Sequence, residues 1–191
     1  MGVATIIVLG VLLVAVAYAV MVYNNLVQVK HNVSKAWANI DVLLKQRHDE
    51  LPKLVETCKQ YMKFEQDTLT RVMEARAKVF TAREAQNIPQ LGQAEGTLRA
   101  TLGSLFALAE AYPDLKTNQT FQQLQTRISS LENAIADRRE FYNESVNINN
   151  VRIEQFPDSI VAGMFSFKAA PLLEFSAEEK ADVDVAKLFK S

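Results

Sequence analysis

The feature that most constrains this chain is its opening: from Val3 to Val22 every residue is apolar or small apart from Thr5 and Tyr18, and no charged side chain occurs before Lys30. About 20 such residues rise about 30 Å as a helix, one hydrocarbon thickness, so this run is long enough to span a bilayer. With no charge inside it, the insertion penalty of roughly 2.5 to 3.5 kcal/mol per central charge does not arise. The competing reading is a cleaved signal peptide, for which Ala15-Val16-Ala17 or Ala17-Tyr18-Ala19 could serve as cleavage sites. A signal peptide opens on a basic segment and has a shorter apolar core, whereas here no Lys or Arg precedes the run and the run continues past both sites. Gly2 does not make a myristoylation signal, because Ile6 stands where that pattern wants Ser or Thr. The expectation is a membrane anchor over residues 1–23 that contacts lipid through residues 3–22. Lys30 and Lys35 follow the run closely, and the positive-inside rule then places the downstream domain in the cytoplasm.

Beyond the anchor, large residues recur at spacings of four and three: Val33, Trp37, Ile40, Leu44, then Leu51, Leu54, Cys58 and Tyr61. This is a helical seam, and its register continues through Thr68, Val72, Ala75 and Val79, so one very long helix could reach about Ala82. Pro52 lacks an N–H and crowds the carbonyl of His48, which predicts a kink there, or two helices meeting at that point. Pro89 suits the first turn of a second helix with Leu91, Leu98, Leu102, Leu105, Ala109 and Tyr112, stopped by Pro113. Thr117 and Asn118 are capping residues for a third, which carries Phe121, Leu124, Ile128, Leu131, Ile135, Tyr142, Val146, Ile153 and Phe156 and is closed by Pro157. Six glycines and five prolines are too few for a loop-rich or all-β domain. The predicted fold class is all-α: an N-terminal transmembrane helix, then an antiparallel three- to four-helix bundle of long coiled-coil-like helices over residues 24–157. Residues 158–191 form a docked segment and short tail. The apolar stretch from Ile160 to Phe175 reads either as core cover or as an exposed patch for a partner or the bilayer surface, and Ser176 with Glu179 resembles a capping box.

Two separated blocks of the chain resemble the LemA family of bacterial membrane proteins. The first is Tyr23-Asn24, Leu26-Val27, Trp37, Ile40-Asp41-Val42, Leu44-Lys45, Arg47, Leu51-Pro52 and Leu54-Val55-Glu56. The second runs from Glu110 to Lys116 and on through Phe121, Leu124-Gln125, Glu132, Arg138, Tyr142-Asn143, Asn149 and Phe156-Pro157. The resemblance covers nearly the whole chain. It implies an anchor in the bacterial inner membrane and an antiparallel helical bundle, and it implies no catalytic activity. Cys58 departs from the pattern, where Val is commoner.

Charged and polar residues on the seams are the informative anomaly. Arg47, Glu65, Arg138 and Asn149 fall where apolar residues are expected, and buried charge is costly unless paired. We expect arginines to cross the bundle to carboxylates such as Glu65, Glu110 or Glu132, fixing helix register; the alternative is a functional polar cavity. No residue is predicted to be catalytic, cofactor-binding or metal-binding. His31 and His48 lie about 25 Å apart on a straight helix, too far to share a ligand, and two histidines with the single thiol of Cys58 make no recognisable zinc site. There is no phosphate-binding glycine loop. With 21 basic and 22 acidic side chains the net charge of -1 gives no reason to bind nucleic acid. The expected role is a membrane-anchored scaffold or adaptor for an unidentified protein partner or for its own copies, the alternative being a self-assembling subunit that shapes or organises membrane.

Overall fold

The apolar run and the first seam form one uninterrupted helix, α1 (Val3–Tyr61), in a computed structural model that describes residues 2–174. Five further helices follow: α2 (Gln66–Glu84), α3 (Ile88–Ala109), α4 (Pro113–Lys116), α5 (Gln119–Glu154) and α6 (Asp158–Met164). The fold is all-α, with no strand among the described residues. The tail features expected at Phe175, Ser176 and Glu179 lie outside the described residues.

Pro52 sits inside α1 and does not end it. Its ring removes the N–H that would bond the His48 carbonyl, and a side chain from another helix supplies the missing donor: Arg76 Nε on α2 donates to that carbonyl at 2.9 Å. The chain turns instead at residues 62–65, where Met62 is fully buried and Phe64 is exposed. The long helix expected to run on to Ala82 is therefore two. The physical reason is burial: Leu69, Val72, Ala75, Val79 and Ala82 form an apolar stripe that a straight continuation would leave in water, and folding back buries all five.

The described residues divide into two units, and α1 and α5 each contribute to both. One unit comprises residues 42–136 with Leu173 and Glu174. Helix directions there follow from named pairs. Arg47 meets Glu95 of α3 and Glu132 of α5, while further along α1 Tyr61 accepts from Asn118, just before α5. α5 thus runs antiparallel to this part of α1, and α2 does the same, since it turns back to set Arg76 beside His48. This is an up-down bundle whose core includes Leu44, Leu51, Leu54, Leu91, Leu98, Leu105, Phe121 and Ile128. Local chemistry sets its helix starts. Asn87 accepts from the Gln90 N–H ahead of Pro89, and Asn118 accepts from the Phe121 N–H. Gly92 faces the Glu174 carbonyl so closely that a Cβ would lie 1.9 Å from its oxygen, so this helical position admits glycine alone.

The other unit comprises residues 2–41 and 137–172. Trp37 of α1 packs edge-on against Tyr142 of α5, with ring centroids 5.9 Å apart. Val22 and Leu26 form a small core with Val161 and Ala162 of α6, flanked by Ile153 and Phe167. The rest of the apolar run behaves differently. Val3, Leu13 and Val14 are among its many exposed residues, and only 6% of its most apolar window is buried.

Candidate functional site

The most unusual chemistry lies at the centre of the 42–136 unit. Arg47 is 1% exposed, although a guanidinium is normally among the last groups to leave water. Its Nη2 donates to Glu95 Oε1 at 2.5 Å and its Nη1 to Glu132 Oε1 at 2.6 Å. Burial works against the charged guanidinium, but the two carboxylates outweigh it and hold Arg47 above its ordinary pKa. Glu95 is as deeply buried as Arg47, whereas Glu132 keeps some access to solvent. One cation thus lies between two anions on three different helices, and sliding any of these helices by a turn would separate the charges by about 5 Å. On the same helix Glu50 is buried, accepts from Lys53 at 3.2 Å and forms an ion pair with Arg127 of α5 at 3.1 Å.

Of the six polar residues singled out from the sequence, the structure joins Arg47 and Glu132 directly. Glu65 instead accepts from the Tyr112 hydroxyl at 3.2 Å. Glu110 is exposed and bonded to Lys116. Arg138 is exposed. Asn149 is buried and donates to the Lys168 carbonyl at 3.3 Å. Beside it, Asn150 clamps Ala170 by donating to its carbonyl at 3.0 Å and accepting from its N–H at 2.9 Å. The Tyr142 hydroxyl donates to the Pro171 carbonyl at 3.0 Å, so three α5 side chains hold the extended stretch 168–171 against the helix.

Sequence reasoning missed Glu95. A signal was present, because Glu95 stands four after Leu91 and three before Leu98, on the buried stripe of α3. Arg152 and Asp158 were missed as well; they pair at 2.9 Å and tie the end of α5 to α6.

The remaining titratable groups do not converge. His31 is exposed, and His48 lies against Arg76, whose Nη2 donates to His48 Nε2 at 2.6 Å. Partial burial and the neighbouring Arg76 charge depress the His48 pKa, and Arg83 and Arg47 act in the same direction while Asp49 opposes them. Burial pushes the Cys58 thiol up to about 12, which keeps it a thiol at neutral pH. Among the described residues no group of three or more His, Cys, Asp or Glu side chains is arranged to hold a metal ion.

These features define a class: an all-α protein in which one helix, long and apolar enough to cross a membrane, continues into a bundle that contains buried ion pairs. The chain belongs to the LemA family, whose sequence model matches residues 36–186. It is similar to Protein LemA of Metamycoplasma hominis, 27% identical over 86% of this chain and 74% of that protein. It is also similar to magnetosome protein MamQ 2 of Paramagnetospirillum magneticum, 23% identical over 92% of this chain and 73% of that protein. A third relative, magnetosome protein MamQ of Magnetospirillum gryphiswaldense, is 33% identical over 39% of this chain and 28% of its own length.

Proposed function

We propose that this chain is a non-enzymatic membrane-anchored scaffold, held in the bacterial inner membrane through residues 3–22, whose bundle positions a protein partner or further copies of itself on the cytoplasmic side. The observation that carries this reading is the exposure of the apolar run: a helix from which Val3, Ile6, Leu13 and Val14 all point outward has no stable place in water and needs lipid around it. The same helix enters the bundle without a break. A continuous helix transmits position rather than chemistry, and the buried Arg47 cluster fixes helix register around it. The cytoplasmic assignment is supported by Lys30 and Lys35 just beyond the run.

The test is crosslinking in native membranes, followed by identification of the crosslinked species and mass photometry of the detergent-extracted protein. A discrete adduct with one other protein supports the adaptor role, and a ladder of self-adducts with a large particle identifies the self-assembling, membrane-organising form. Recovery of the chain from the soluble fraction, or a monomer with no adduct in membranes, overturns the proposal. Reporter fusions at both ends decide the side: a cytoplasmic signal from a C-terminal fusion is expected.

A further inference from the structure

The end of the apolar run is more elaborate than an anchor requires. Val22 closes the run and Tyr23 is the first residue outside it. α6 docks at this level through Val161 and Ala162 on Val22 and Leu26, and the Phe165 ring that follows lies 4.7 Å from the Tyr23 ring, with Phe167 at 5.9 Å. The outward side of this cap stays apolar: Ile160, Met164 and Phe165 are 56%, 75% and 57% exposed. Amphipathic Tyr and Trp rings at the boundary of an apolar span form an interfacial belt in the headgroup layer, the place Tyr23 takes here with Phe165 and Phe167 packed on it. Beside this belt opens a groove of about 620 Å³, bounded along α1 by Tyr23 and Val27, then Lys30 and His31, and on its other wall by Phe167 and Lys168. No carboxylate lines it. Along α1 the lining thus runs from Tyr23 and Val27 near the apolar run to Lys30 and His31 and then to Val33 and Ser34, so that Lys30 on this wall and Lys168 on the other are its charged side chains.

We propose that this groove binds the headgroup of an anionic phospholipid drawn from the leaflet at which α1 emerges, a proposal that rests on α1 being the membrane anchor. The dimensions fit. Lys30 is seven residues past Tyr23, about 10 Å along the helix axis, and each headgroup layer is about 5–7 Å deep. A lysine stem bent back toward the membrane brings its ammonium into that layer. Lys168 approaches from the opposite wall on a backbone fixed by Asn149 and Asn150. A phosphodiester between Lys30 and Lys168 would leave the glycerol and upper acyl carbons against Tyr23, Val27 and Phe167, and the chains would continue along the exposed apolar face of α1. A zwitterionic headgroup brings its own cation to the same lysines and is disfavoured.

The experiment reconstitutes the full chain into nanodiscs of equal parts phosphatidylglycerol and phosphatidylcholine and reads two things. Co-elution with the disc reports anchoring, and native mass spectrometry reports which lipid stays bound after release. We expect phosphatidylglycerol to be retained at least tenfold over phosphatidylcholine, since each lysine near an anionic surface contributes about fivefold. Lys30→Glu with Lys168→Glu removes the preference, Lys30→Gln with Lys168→Gln reduces it, and Lys59→Glu with Lys63→Glu on the other unit leaves it unchanged. Co-elution without a lipid preference, equal loss in the Lys59/Lys63 pair, or displacement of the lipid by soluble glycerophosphate overturns the lipid site while leaving the anchor standing. Failure to co-elute overturns both.

Discussion

Replacing Arg47 with methionine tests whether the buried ion cluster governs the bundle. The substitution keeps the length and apolar volume of the stem and removes the guanidinium that Glu95 and Glu132 share at 2.5 and 2.6 Å. Breaking a buried pair from one side costs about 3–5 kcal/mol, because the remaining charge stays desolvated without its counter-ion. The deep burial of Glu95 places this site toward the upper part of that range. For a domain of this size each kcal/mol corresponds to roughly 2–4 °C, so Arg47→Met should lower the midpoint by roughly 6–20 °C. The assay is thermal unfolding of the full chain in detergent micelles, followed by the far-ultraviolet helical signal. The companion variant, Arg47→Met with Glu95→Leu and Glu132→Leu, removes all three charges and should recover most of the loss, because an apolar replacement of a buried ion cluster is commonly neutral or stabilising by about 1–4 kcal/mol. The register role has its own readout, methyl-resonance dispersion. A recovered midpoint with broadened or doubled resonances means that the charges selected one helix register rather than supplying net stability. If Arg47→Met melts within about 2 °C of the wild type, roughly 1 kcal/mol or less, the reasoning is refuted.

Three further outcomes follow from the same geometry. Arg76→Met should cost about 1–3 kcal/mol by leaving the His48 carbonyl without its donor, and Pro52→Ala should cost less in that background than alone, since it restores the N–H at residue 52; a denaturation cycle with no coupling between the two sites would contradict this. His48 has a folded pKa below its ordinary 6.5, so the unfolded chain binds the proton more readily; its contribution is complete above about pH 6.5 and is lost as pH falls through the lower folded value, a dependence that His48→Gln should flatten in melts across pH 5 to 8. Cys58 is fully buried with its thiol pushed up to about 12, so iodoacetamide at neutral pH should label it only after denaturation, as read by intact mass.

Much of the fold could be read from the sequence because its signals are local. The uncharged run, the seam spacings and the caps at Pro89 and Asn118 each depend on residues within a turn or two of one another, and the helices begin close to where those signals lie. The turn at residues 62–65 carried no comparable signal, since Met62-Lys63-Phe64-Glu65 contains no Gly or Pro and the apolar register runs straight across it. What breaks the helix there is the stripe from Leu69 to Ala82, which gains burial only by reversing onto α1. No window of a dozen residues contains both halves of that comparison.

Pro52 is the converse case, and it shows why the polar centre was only half legible. Local rules predict damage at a helical proline because they count the lost hydrogen bond at His48 and see nothing to replace it. The replacement is Arg76, a charged side chain whose role is fixed by tertiary structure alone. Arg47 follows the same logic. A seam arginine announces that a carboxylate must meet it, but the requirement does not name the partner. Glu65, Glu110 and Glu132 were equally eligible by sequence, and the geometry joins Glu132 to Arg47 while adding Glu95 from the stripe of α3. A buried charge is thus visible in sequence as a need, and the packing of the helices decides which side chain meets it.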